Sequence, residues 1–128
     1  AIIRGSVGTV SEQSLTVFLS DKTVEQSIQE EPWLGKAVLN LAANGYLKRI
    51  GFSPMARMRV AGLLRGLTSS AARSLTSRLT EMESRPAVSY LLLESLRRGE
   101  FNGDVHELID FVGPDLYGLC GNPSLDTI

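Results

Sequence analysis

The 128 residues contain a single cysteine, Cys120, and a single histidine, His106. One thiol excludes an internal disulfide framework, so an apolar core has to hold the fold by itself. One histidine with one cysteine cannot supply the ligands of a His/Cys zinc centre. They could be written as a nucleophile and base, but they lie 14 residues apart across a helix end and nothing orients them. No run approaches the roughly 18 uncharged apolar residues needed to cross a bilayer, and no signal-peptide pattern opens the chain. These absences predict a chain without metal, cofactor or membrane partner, in a reducing, intracellular compartment, cytoplasmic or nuclear. The chain opens on alanine rather than methionine, as expected of a fragment or a processed product.

Acidic residues are missing from one long stretch. Residues 48–78 hold seven bases (Lys48, Arg49, Arg57, Arg59, Arg65, Arg73 and Arg78) and no acid. Residues 1–47 hold three bases against five acids, and residues 79–128 hold three against nine. A formal net charge of −1 hides this segregation, which asks for an explanation.

Apolar residues make up 43% of the chain, enough for one core, and helix signals dominate. No internal repeat, low-complexity tract or linker divides the chain, so it reads as a single helical domain over 1–128. Residues 1–22 read as an arm of uncertain conformation, irregular or strand-like at first, with a weak helical pattern from Ser11. Thr23 with Gln26 matches a capping box, predicting a short polar helix to about Glu31. Pro32 suits a first helical turn, followed by Trp33, Leu34, Ala37, Val38 and Leu41 at helical spacing and closed by Asn44-Gly45. Ser53-Pro54 starts a helix with Val60, Leu63, Leu64 and Leu67 inward. Thr68 or Ser69 caps the next, which carries Ala72, Leu75, Leu79 and Met82. Ser84-Arg85-Pro86 starts another, whose Val88, Leu91, Leu92 and Leu96 form a wide stripe stopped by Gly99. Asp104 with Glu107 is a further capping box, and Gly113-Pro114 ends that helix. Residues 115–128 read as an irregular tail. The fold class is therefore all-α, five to six short helices in a bundle or orthogonal array.

Few residues suggest catalysis. Gly62-Leu-Leu-Arg-Gly66 lacks the lysine and the strand-to-helix context of a phosphate loop. The Asp104–Glu107 pair is explained by capping, and acids are favoured at helix N-termini. The expectation is that the chain is not an enzyme.

The basic block permits two readings. Around the helix from Ser69, the residues Ser70, Arg73, Ser74 and Ser77 share the side opposite the apolar stripe, with Arg78 at its border. Small hydroxyls around an arginine let a helix approach a groove floor, where Arg pairs with guanine. Residues 60–79 resemble a helix-turn-helix, with Gly62, Gly66, Leu67, Ala72 and Leu75 at the expected offsets, although Arg65 stands where the motif wants an apolar residue. On this reading Lys48, Arg49, Arg57, Arg59 and Arg65 dock on phosphates and Arg73 reads a base. Against it, Arg57 and Arg59 lie roughly 160° apart around the axis, only Phe52 among the aromatics falls in the block, and the pI is near 5.8.

The second reading pairs the bases with acids of 79–128, inside the molecule or across an oligomer. It predicts a protein-interaction or assembly module, adaptor, oligomerisation or regulatory, belonging to a larger protein. Its contact candidates are Trp33, a partner anchor or a half-buried staple, and Tyr90, Leu91, Leu92 and Leu96 of the wide stripe. Protein contact or self-association leads, with nucleic-acid binding, as in a nucleoprotein or a transcription or replication regulator, as the alternative.

Overall fold

The structure, a computed structural model, describes residues 18–47, 49–50 and 52–120, with the backbone alone for 114–120. The arm expected over 1–17 and the chain end at 121–128 lie outside the described residues. Six helices follow in order: α1 (Lys22–Glu30), α2 (Trp33–Ala43), α3 (Pro54–Leu64), α4 (Ser70–Glu81), α5 (Arg85–Arg97) and α6 (Val105–Cys120). The all-helical class is thus as expected, and the described residues contain no strand longer than an isolated bridge.

Local chemistry sets most of the helix starts. Ser53 accepts from the Ala56 N–H (3.1 Å) ahead of Pro54, and Ser69 accepts from the Ala72 N–H (3.0 Å). Asp104 accepts from the Glu107 N–H (3.1 Å). One start differs from the sequence reading. Asp21, not Thr23, caps α1, accepting from the Thr23 and Val24 amides at 2.9 and 3.3 Å. Ser84 makes no cap bond; its hydroxyl donates to the Tyr46 carbonyl (2.6 Å), tying the start of α5 to the turn after α2.

Two further expectations need correction. Residue 18 is already core rather than arm: Phe18 is buried, and it and Leu19 have helical backbone. Gly113 (φ 51°, ψ −154°) ends the first helical segment of α6 as expected, but helical backbone resumes beyond it and runs to Cys120 where an irregular tail was expected. Proline after the break is compatible with this, since it fits the first turn of the continuing segment.

Helix α5 is the centre of the array. Pro86, Ala87, Val88, Ser89, Leu91, Leu92, Leu93 and Ser95 are buried around most of its circumference, as a helix enclosed by neighbours must be. It packs against α4, α6 and α2, while α1 lies along the other side of α4 and α3 rests on α4 and α6. Each fully buried leucine of this core contributes roughly 1.5–3 kcal/mol relative to exposure. Loop ties complete the frame. Ile50 donates to Glu83 O (2.8 Å), and Asn102 donates to Gly66 O (2.7 Å). Gly66 is required by that second tie: a Cβ there would sit 2.8 Å from the Phe101 ring and 3.0 Å from Gly103 backbone. The α3–α4 turn is therefore shaped by a crossing loop, a reason the helix-turn-helix resemblance does not supply.

Candidate functional site

Four arginines of the acid-free stretch, Arg49, Arg57, Arg59 and Arg78, are matched to carboxylates from elsewhere in the chain. Arg49 and Arg57 converge on the two oxygens of Glu83, at 3.0 and 3.1 Å. Glu83 has a left-handed backbone (φ 59°), and the Ile50 amide holds its carbonyl in place. Arg59 spans to α6, its Nε on Glu107 (2.8 Å) and an Nη on Asp110 (2.7 Å), with Phe111 beneath the guanidinium at 5.5 Å. Arg78 reaches Asp21 (2.6 Å) and also its own-helix neighbour Glu81.

Titration follows these contacts. The Arg78 guanidinium holds the Asp21 carboxyl below its ordinary range, and Arg49, then Arg57, do the same for Glu83. Hydrogen bonding to Glu107 raises Arg59, and hydrogen bonding to Asp21 raises Arg78. Four of the candidate nucleic-acid-binding arginines, Arg49, Arg57, Arg59 and Arg78, therefore already have anionic partners. Arg73 donates to the Leu67 carbonyl (3.1 Å), closing the turn before α4. Arg65 is exposed and makes no ion pair among the described residues. Lys48 lies outside them.

The expected recognition face of α4 is present but not empty of acid. Ser70, Arg73 and Ser74 are exposed and Ser77 is half-buried. Together with Arg78 and Leu64, the last three border an open groove of about 580 Å³ into which Asp21 and Glu81 also bring carboxylates. Helix α1 lies along α4 at this edge. A phosphate backbone entering here would meet two fixed anions beside its cations.

The candidates for protein contact divide. Leu91 and Leu92 are completely buried by their own chain, which corrects their place in that set: the wide stripe is consumed by α5's central position. Leu96 is half-buried against the core. Tyr90 is half-buried, its ring 5.9 Å from Tyr46 and its hydroxyl accepting from Asn40 at 3.4 Å. Trp33 is half-buried and stapled by its own chain. Its indole N–H donates to Glu31 (2.7 Å) and Arg98 covers its face at 4.3 Å. Glu31's other oxygen accepts from the Ser69 hydroxyl (2.6 Å), and that bond, then the Trp33 bond, lowers its pKa. This network joins the starts of α2 and α4 to the end of α5.

Sequence reasoning missed the largest exposed apolar side chains. Met55 and Met58 on α3 are 71% and 74% exposed. Their signal was legible: α3 carries apolar residues all round its axis, yet only Ala56, Val60 and Leu63 are buried. Leu39 and Ile50 are also exposed, as are Val105 and Ile109 on α6.

For catalysis, His106 is exposed near the start of α6, with the Gly113 break between it and Cys120. No group of three potential metal ligands occurs among the described residues, and no described helix is long and apolar enough to cross a membrane. The chain has no significant match to a protein-family model, a curated protein or a solved structure, so its function rests on these surfaces alone.

Proposed function

We propose that this chain is a non-enzymatic helical module that acts by contacting another protein, through the outward side of α3. The observation that carries the reading is a contrast on one helix. The arginines of α3 that would attract nucleic acid, Arg57 and Arg59, are engaged by Glu83, Glu107 and Asp110. Its large apolar side chains Met55 and Met58 are left in water. Burying such side chains against a partner removes roughly 25 cal/mol of cost per Å² of apolar area, and methionine adapts its shape to the surface it meets. Charges held at home supply the frame that orients this face, not the affinity.

Nucleic-acid binding is the rival, supported by the hydroxyl face of α4 and by Arg65 and Arg73. A titration of labelled duplex DNA at about 50 and about 200 mM salt separates the two. If Arg65 and Arg73 are the cations available, the log–log slope is no steeper than about −2, at about −0.9 per phosphate neutralised. A slope of about −3.5 to −5.5 would mean that the paired arginines open to phosphate, and it would overturn the protein-contact reading.

A further inference from the structure

Met55, Met58, Gly62 and Arg65 follow one another at spacings of three, four and three residues. At 100° per residue they fall within about 80° of one another on the solvent side of α3, and Arg65 keeps helical backbone as its C-cap. That spacing is the a/d seam by which one helix lies along another. Gly62 strengthens the pattern. It stands in the interior of a helix, where glycine is disfavoured, and a Cβ there would meet nothing within 4 Å. Nothing in this chain requires glycine at 62, whereas a second backbone lying close against α3 does.

We propose that this seam docks a partner helix that is amphipathic and acidic, with apolar residues over Met55, Met58 and Gly62 and a carboxylate opposite Arg65. This rests on the protein-contact reading above and adds the chemistry of the partner. Charge decides the occupant. Helix α3 contains no acidic residue, its flanking Arg57 and Arg59 have partners of their own, and Arg65 has none among the described residues. A second α3 does not satisfy the seam. Packed antiparallel, it brings Met55 of one copy over Arg65 of the other; packed parallel, it sets Arg65 beside Arg65. Neither supplies a carboxylate, and an unpaired cation at a contact is costly. A helix with glutamate at the flanking position does supply one.

The experiment uses the full chain with ¹³C-labelled methionine methyls. Only three methionines occur, Met55 and Met58 on the seam and Met82, half-buried against the core, as an internal control. The probes are two synthetic monomeric helical peptides with the same leucine stripe, one flanked by glutamate and the other by lysine. The expected result is that the glutamate peptide shifts Met55 and Met58 but not Met82. The lysine peptide should bind at least about tenfold more weakly. Gly62→Leu should abolish the shift without lowering the melting temperature, because the position is open within the fold. Equal shifts with both peptides would overturn the acidic assignment. So would movement of Met55 and Met58 on concentrating the protein alone, which would make a second copy the occupant and leave protein contact standing. Silence toward both peptides overturns the seam; the protein-contact reading falls only if the duplex titration is also steep.

Discussion

Replacing Arg59 by methionine keeps an apolar stem near Phe111 while removing the guanidinium that joins α3 to α6. Two ion pairs are lost, to Glu107 at 2.8 Å and Asp110 at 2.7 Å. Arg59 is 30% exposed, but Asp110 is 76% exposed, so water and salt screen that second pair heavily. Such pairs contribute about 0.2–1 kcal/mol each, and the cation over Phe111 adds about 0.5–1 kcal/mol at an exposed site. The expected loss is therefore about 1–2 kcal/mol, read by urea unfolding followed in the far-ultraviolet circular dichroism. The difference from the parent should shrink at high salt, where the ionic share is screened. A cycle with Glu107→Gln should show coupling of about 0.5 kcal/mol or more, since the two side chains touch. A variant as stable as the parent at low salt, with no coupling, would refute the reasoning: Arg59 would be solvated and available to an outside ligand.

Stability should fall in acid in a defined direction. Asp21, Glu31 and Glu83 have folded pKa values below their ordinary ones, so their contribution is complete above the ordinary carboxylate range. It is lost as pH falls through that range to the lowered values, and Asp21→Asn should flatten the melting curve between about pH 5 and pH 3. Ser69→Ala removes both the α4 cap and the Glu31 bond, for an expected cost of about 1–2 kcal/mol by chemical denaturation. Gly66→Ala should lower the melting temperature, because its methyl meets the Phe101 ring and Gly103 backbone; an unchanged value would show that the 101–103 crossing yields.

What could be read in the chain beforehand was what depends on near neighbours. Ser53-Pro54, Ser69 and Asp104 announced their helices because a cap bonds to an amide three residues on. Thr23 was misjudged for a reason sequence does not carry. Asp21 offers the same cap chemistry, and Arg78, distant in sequence, meets its carboxylate and helps fix it. The stripe on α5 is wide, and only the packing of its neighbours decides that the helix's central position buries nearly all of it, Leu91 and Leu92 included. Gly113-Pro114 has the composition of a helix end, but composition cannot say whether helical chain resumes beyond it. The charge segregation was visible at once, whereas its resolution is tertiary: Arg57 and Arg59, roughly opposite on one helix, find acids on different elements. Val60, Leu63 and Leu64 already supply α3 with a core face, so periodicity alone does not single out Met55 and Met58. The second apolar side was the signal.

Arginine side-chain ¹⁵Nε–H spectra, recorded with and without duplex DNA at low salt, test the central claim most directly. The Nε–H groups of Arg59 and Arg78 donate to Glu107 and Asp21 at 2.8 and 2.7 Å. Both signals should be protected from exchange and unmoved by DNA, with exposed Arg65 exchanging freely. Rapidly exchanging Arg59 and Arg78 signals that shift when DNA is added would contradict it, because the basic stretch would then be a nucleic-acid surface and not the framework of a protein-contact face.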